Sequence, residues 1–274
     1  MNATSELTEL EIDLFLEAFF RRYRHDFRRY ARPTMRRRLQ LALQHFECQS
    51  LSLLQHLVLR DAATAAEMLG YLTVQVSNLF RDPGYYLALR QQVLPLLATY
   101  PSLKVWVAGC GAGEELYSLA ILLHEEDLLR RTLLYATDVN AEALRRAELG
   151  VYAIDRARTF SENYRSAGGK ASLSDYYTSA YDGIVFDRQL RENVVFSDHS
   201  LATDSVFAEV QLVSCRNVLI YFDAELKNRA IGLFHDSLVR KGFLALGSRE
   251  NLRGTSRADD FIQIDRPNRI YRKR

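Results

Sequence analysis

Three of the thirteen glycines lie in Gly109-Cys110-Gly111-Ala112-Gly113, directly after the apolar run KVWVAG (104–109) and before a stretch of helical period. Glycine permits a tight turn at positive φ and a close approach of backbone to ligand. Amide groups at the start of the following helix favour an anionic group. Asp138 ends the next apolar run, LLYATD (133–138), where a carboxylate can accept hydrogen bonds from both ribose hydroxyls. Glycine turns between strand and helix are common, so the turn alone is a weak signal; its strand context and Asp138 give it weight. Together these residues describe a nucleoside cofactor lying across the carboxyl ends of a parallel sheet. A dinucleotide fingerprint counted from Gly109 needs a third glycine at position 114, which is Glu114. A pyrophosphate would also meet the acidic pair Glu114 and Glu115. S-adenosylmethionine has no phosphate, and its ribose and ammonium groups can both use carboxylates, so the acids favour it over NAD, which stays open on this reading alone.

Such a site needs alternating strands and helices to position it, and the chain supplies them from about residue 86 onward. ELYSLAILLHE (115–125) and AEALRRAELG (141–150) have helical period, the second closed by a glycine C-cap. EVQLVSC (209–215), a helix over 224–239 and GFLALGS (242–248) continue the alternation, which predicts a mainly parallel sheet covered on both faces. Residues 151–200 interrupt it with scattered tyrosines, Gly168–Gly169 and a hairpin-like YDGIVFD (181–187), which reads as a small β-rich insertion.

Before residue 73 the pattern is helical throughout. Leu10, Leu14 and Ala18, and Leu7, Phe15 and Phe19, recur at three- and four-residue spacings. Pro33 suits the first turn of a second helix, with Leu39, Leu43 and Phe46 facing inward. Segments 51–59 and 62–72 read as two more, and Val74 to Gly84 as a linker. The organisation expected is therefore a helical domain over 1–73, a linker over 74–85 that contributes to the cofactor site, and an α/β domain over 86–274 with the insertion at about 151–192.

The 274 residues carry 36 basic and 34 acidic side chains, a net charge of +2, with 48% apolar and 26% charged residues. Those proportions exclude intrinsic disorder. Charge this near zero gives no whole-molecule argument for nucleic acid. Three scattered cysteines without a CxxC pair argue against a disulfide framework and a cysteine zinc site, and no metal is expected. The opening MNATSELTELEIDLF lacks a basic region before an apolar stretch, and the longest apolar run, near 51–59, is too short to span a bilayer. A cytoplasmic location without membrane insertion is the expectation. The average conceals asymmetry: residues 21–38 hold nine arginines and one acid, a local +8.

The chain resembles the CheR-type chemoreceptor glutamate methyltransferases over nearly its whole length. FFRRYRHDFRRYARPTMRRRL (19–39), SNLFRDP (77–83), VWVAGCGAGEELYSLA (105–120), ATDVNAEAL (136–144), LGVY (149–152) and VSCRNVLIYFD (213–223) carry the likeness, the last being the most specific. The resemblance implies an all-helical amino-terminal domain followed by a Rossmann-like α/β domain that binds S-adenosylmethionine and contains an inserted small antiparallel β-subdomain. It also implies roles. Arg81 matches an arginine beside the cofactor and catalytic centre, and Tyr221 a tyrosine near the transferred methyl group. Gln75, Ser77, Glu115 and Asp138 match cofactor ligands, as do Ser200 with Leu201 and Arg216 with Asn217; Gly109 belongs to the cofactor turn. Gln75, Ser77 and Ser200 stand where Asn, Thr and Asn are typical, all still able to hydrogen-bond. Leu116 replaces a common proline.

The implied reaction moves a methyl group from S-adenosylmethionine to a glutamate γ-carboxylate of a chemoreceptor, leaving S-adenosylhomocysteine, in sensory adaptation. Glutamate, with a reference pKa of about 4.3, is already anionic near neutral pH, so no strong base is needed. Arg81 would position the acceptor carboxylate and Tyr221 orient it, while Arg216 could instead be structural. The resemblance makes the Arg21–Arg38 stretch a docking face for the acidic helical methylation region of a receptor, since arginine pairs bidentately with carboxylates. A receptor carboxyl-terminal tether is a possible second contact, but the hairpin around 181–187 is short and argues for tether independence. The same chemistry on a receptor of another signalling pathway, or a regulatory module that binds cofactor without turnover, are the alternatives. No base-methylation motif such as NPPY is present.

Overall fold

A computed structural model of the chain describes residues 8–75 and 77–274. Four helices come first: α1 (Glu9–Tyr23), α2 (Arg32–His45), α3 (Leu51–Arg60) and α4 (Ala62–Leu72). Short polar side chains start most of them. Thr8 and Glu11 form a capping box on α1, Ser50 caps α3 and Asp61 caps α4, each satisfying amides that lack an intrahelical partner. α2 begins with Pro33 in its first turn, as expected. Ile12, Phe15, Leu16 and Phe19 of α1 pack with Leu39, Leu43, Leu54, Val58 and Met68 into one core. One of the two apolar stripes on α1 therefore faces out: Leu10 is 67% exposed and Leu14 56%. Periodicity identified both stripes but not which one the other helices cover. Leu7 lies outside the described residues, as does Val76 in the expected linker.

That linker is shorter than the sequence suggested, because helix resumes at α5 (Pro83–Ala88), continues through a π turn over Leu89–Val93 and ends as α6 (Leu94–Leu97). The alternation follows: β1 (Leu103–Ala108), α7 (Glu114–Glu125), β2 (Thr132–Asp138) and α8 (Ala141–Leu149). Next come β3 (Val151–Ala153), α9 (Ala157–Ser166), β4 (Tyr177–Ala180), β5 (Gly183–Phe186) and β6 (Val194–Asp198). The chain closes with β7 (Val210–Cys215), α10 (Ala224–Ser237), β8 (Leu238–Leu246), β9 (Phe261–Asp265) and β10 (Ile270–Lys273).

Seven strands form one sheet in the order β6-β2-β1-β7-β8-β10-β9. The first five are mutually parallel, and β10 runs antiparallel to β8 and β9. β1 is buried on both faces: Val105 and Val107 join the core under α7, while Trp106 and Ala108 join the core under α10. β3, β5 and β4 make a separate three-stranded antiparallel sheet. The segment read as β-rich also contains α9, whose Phe160 and Tyr164 are buried, and its last part supplies β6 to the main sheet. Among the described residues no helix is long and apolar enough to cross a membrane.

Candidate active site

The sheet order reverses at β1, which β2 flanks on one side and β7 on the other. Open α/β sheets hold ligands in the crevice at such a point, outside the carboxyl ends of the strands. There the glycine turn wraps the end of β2: Gly109 and Cys110 N–H both donate to the Thr137 carbonyl, at 2.8 and 2.9 Å. Gly109, Gly111 and Gly113 have φ of 71°, 55° and 96°, where an L side chain is strained. A Cβ at Gly109 would lie 2.6 Å from Val218 Cγ2, and one at Gly113 2.9 Å from Ala147 Cβ on α8.

Asp138 is buried. Its Oδ2 accepts from Gly111 N–H and its Oδ1 from Asn140 N–H, both at 2.9 Å. One carboxylate thus ties the glycine turn to the start of α8, with further lone pairs left on each oxygen. Burial raises its pKa above the ordinary carboxylate value, and the amide hydrogen bonds oppose that rise.

Glu115, in the first turn of α7, accepts from Ser214 Oγ at 2.6 Å. Ser214 has a single proton, so the 2.8 Å contact with Tyr85 is donated by the Tyr85 hydroxyl. Burial raises the Glu115 pKa; the Arg216 charge and the Ser214 bond pull it back. Arg216 donates to Asp82 Oδ2 at 2.7 Å and to the Arg81 carbonyl at 3.2 Å, sits 3.6 Å from Glu115 Oε2, and lies over the Tyr85 ring at 4.1 Å. Both terminal nitrogens are therefore tied to the wall of the site, while Nε is buried without a partner. Asn217 follows at φ 62°, and its N–H donates to Glu250 Oε2 at 3.0 Å, while Ile220 N–H donates to Glu250 Oε1 at 3.1 Å. Buried Glu250, which also accepts from Gly247 N–H, thus shapes the loop that carries Arg216, Asn217 and Tyr221. Sequence reasoning missed it, although it follows β8 much as Asp138 ends β2.

Gln75 donates through Nε2 to Thr73 Oγ1 at 3.1 Å, and its Oε1 is buried without a partner. The Ser77 carbonyl is held by Arg156, which also binds Glu114 Oε1 at 2.9 Å and so links the small sheet to the linker. The Ser200 N–H donates to Asp204 Oδ2 at 2.9 Å, closing a turn around buried Leu201. The Arg81 guanidinium and the Tyr221 hydroxyl make no hydrogen bond or ion pair among the described residues. One cavity brings together all eleven residues nominated from the sequence. It is closed on one side by residues that reading had not nominated, among them His25, Phe27, Tyr30 and Thr34 of the helical domain.

Comparison with known proteins places these features. Residues 75–269 match the CheR methyltransferase SAM-binding domain, and residues 10–73 the CheR methyltransferase all-alpha domain. A Pseudomonas putida (strain KT2440) protein named as a methyltransferase, Cher3, is 52% identical over 266 residues, 97% of either chain. A chemotaxis protein methyltransferase of Listeria monocytogenes is 34% identical over 195 residues, 70% of this chain and 71% of its own. One from Vibrio parahaemolyticus is 28% identical over 87% of both. The cofactor is S-adenosylmethionine, and the residues suit it. The orphaned Gln75 Oε1 is a buried acceptor without a donor, and Glu115 and Asp138 are carboxylates that can face its ammonium and hydroxyl groups.

Proposed function

The chain belongs to the CheR methyltransferase family, and we propose that it esterifies glutamate γ-carboxylates in the cytoplasmic helical region of methyl-accepting chemoreceptors. The observation that carries this reading is the pair Arg81 and Tyr221, a cation and a hydroxyl left unengaged in the cofactor cavity. Bound S-adenosylmethionine would supply a sulfonium methyl, the acceptor oxygen taking it in exchange for the C–S bond so that S-adenosylhomocysteine remains. Arg81 holds the anionic acceptor, whose carboxylate needs no base to become a nucleophile. Tyr221 donates to that carboxylate and restricts its angle of approach, a contribution of positioning. Glu115 and Asp138 anchor the cofactor, and Gln75 and Ser77 close the cavity from the linker. Ser200, Leu201, Arg216 and Asn217 wall its other side.

Ion pairs within the chain bear on which of the arginines of 21–38 would meet a receptor. Arg21 and Arg28 pair with Glu17, Arg28 also with Asp26, and Arg29 with Glu225 and Asp223. Arg32 and Arg36 pair with acids of α1, Glu9 and Asp13. These arginines already have acidic partners within the chain, at its surface. Arg37 and Arg38 have no ion pair among the described residues, and both sit on α2, whose start is bound to the Tyr221 carbonyl through Ala31 N–H. Those two arginines, with Arg22 and Arg24, are the charges that remain to guide an acidic helix towards the cavity.

The deciding experiment incubates the protein with labelled S-adenosylmethionine and purified chemoreceptor. Label should appear on the receptor and be released by mild alkali, as an ester requires. Alkali-stable label, or none on any receptor, would overturn the reading.

A further inference from the structure

The helical domain and the loop that carries Tyr221 are joined through their backbones. Ala31 N–H donates to the Tyr221 carbonyl at 2.7 Å, and Asp223 N–H donates to the Arg29 carbonyl at 2.9 Å. Between them Tyr30 and Phe222 form an isolated antiparallel bridge. The Tyr30 ring meets Phe222 edge-on at 5.0 Å between centroids and Phe27 at 4.8 Å. Ala31 is also the N-cap of α2, so the helix that bears Arg37 and Arg38 starts where Tyr221 is held.

Tyr30 lines the cofactor cavity together with Asp138. Its rings and neighbours would pack as well with phenylalanine, yet it carries a hydroxyl that makes no hydrogen bond among the described residues. Burial and the nearby Asp138 carboxylate both push the phenol's pKa up, so the hydroxyl keeps its proton and can donate. Tyr30 thus brings to the cavity wall a donor that no described residue uses and that a bound molecule can take in place of water.

We propose that Tyr30 is a cofactor-binding residue lent by the helical domain, its hydroxyl bonding S-adenosylmethionine on the side of Asp138 while its backbone bridge holds Tyr221 in register. The domain that meets the acceptor would then also complete the cofactor site. This inference rests on the cofactor and is independent of which carboxylate is methylated.

Tyr30→Phe keeps the ring and both edge contacts and removes only the hydroxyl. Its thermal unfolding midpoint should match that of the wild type. Its dissociation constant for S-adenosylhomocysteine, measured by calorimetry, should rise roughly three- to tenfold, the loss of one hydrogen bond. Tyr30→Leu, which also strips the packing from Phe222, should bind more weakly still and turn over more slowly at saturating cofactor. Equal affinity of Tyr30→Phe and wild type, to within about 1.5-fold, overturns the proposal even if Tyr30→Leu does not fold. Because calorimetry needs no acceptor, product binding that depends on Tyr30 in a protein that leaves receptors unmethylated would sink the acceptor reading alone.

Discussion

Arg81 and Tyr221 differ from their neighbours in what they lack. Arg216, Glu115 and Asp138 already have partners within the wall of the site, whereas the Arg81 guanidinium and the Tyr221 hydroxyl have no hydrogen bond or ion pair among the described residues. Tyr221→Phe should therefore leave S-adenosylmethionine affinity within about twofold by calorimetry, yet lower turnover by at least about tenfold; unchanged turnover would remove its proposed role. A second expectation concerns pH. Burial raises the pKa values of Glu115, Asp138 and Glu250. A carboxyl whose folded-state pKa is raised adds stability below its unfolded pKa, and that increment is lost as pH rises through the folded value. Acidification from neutrality thus does not unfold the protein through these groups, but it neutralises the carboxylates proposed to hold the cofactor, together with the one that shapes the loop before Tyr221. Calorimetric affinity for S-adenosylmethionine should fall at a pH above the ordinary carboxylate range, while the melting temperature does not fall in parallel. The acid limb belongs to the three groups jointly. Affinity that stays level until the ordinary carboxylate range would refute this.

At the scale of elements, the glycine turn is where packing tolerates least change. Gly113 combines a φ of 96° with a virtual Cβ 3.0 Å from the Ala147 backbone, so α8 cannot yield by rotating a side chain. Gly113→Ala should destabilise the protein by about 1–3 kcal/mol in urea unfolding and weaken cofactor binding through the displaced turn; wild-type values of both would show the contact to be soft. The small sheet gives a different expectation. β4 and β5 are four residues each, and Tyr181 at their turn is fully exposed. So short a hairpin offers few backbone groups to an added strand. An isolated receptor carboxyl-terminal peptide should show no binding by calorimetry; tight binding would overturn tether independence. Arg156, anchored to Glu114 and the Ser77 carbonyl, gives this sheet a structural task of its own in holding the linker.

Across the whole molecule, the net charge of +2 is the sum of unlike regions. Beside the arginines of 21–38, residues 238–274 hold ten basic and four acidic side chains, a second basic region that the reading from the amino terminus overlooked. If receptor docking is electrostatic, added salt should weaken it strongly. Replacing Arg37 and Arg38 together by glutamate should raise the receptor KM and flatten that salt dependence, with S-adenosylmethionine affinity unchanged. Arg32→Gln, which removes a charge already paired, should do much less. Receptor methylation insensitive to both salt and the double substitution would place docking elsewhere.

Residue order by itself determined the glycine turn, the positions of Asp138 and Glu115 at the strand and helix ends, and the alternation of β1, α7, β2 and α8. Each rests on neighbours a few positions apart: a strand, a glycine turn and a helix start are local chemistry. The helical domain was legible for the same reason, though not the choice between the stripe of Leu10 and Leu14 and the one that is buried, since a period does not say what packs against it. Tertiary structure alone decided which arginines remain unpaired, that Glu250 shapes the loop before Tyr221, and that Tyr30 enters the cofactor cavity. Ala31 and Tyr221 are 190 positions apart in the chain and 2.7 Å apart in the fold. Contacts of that kind form only when separate elements close on one another, and no local spacing encodes them.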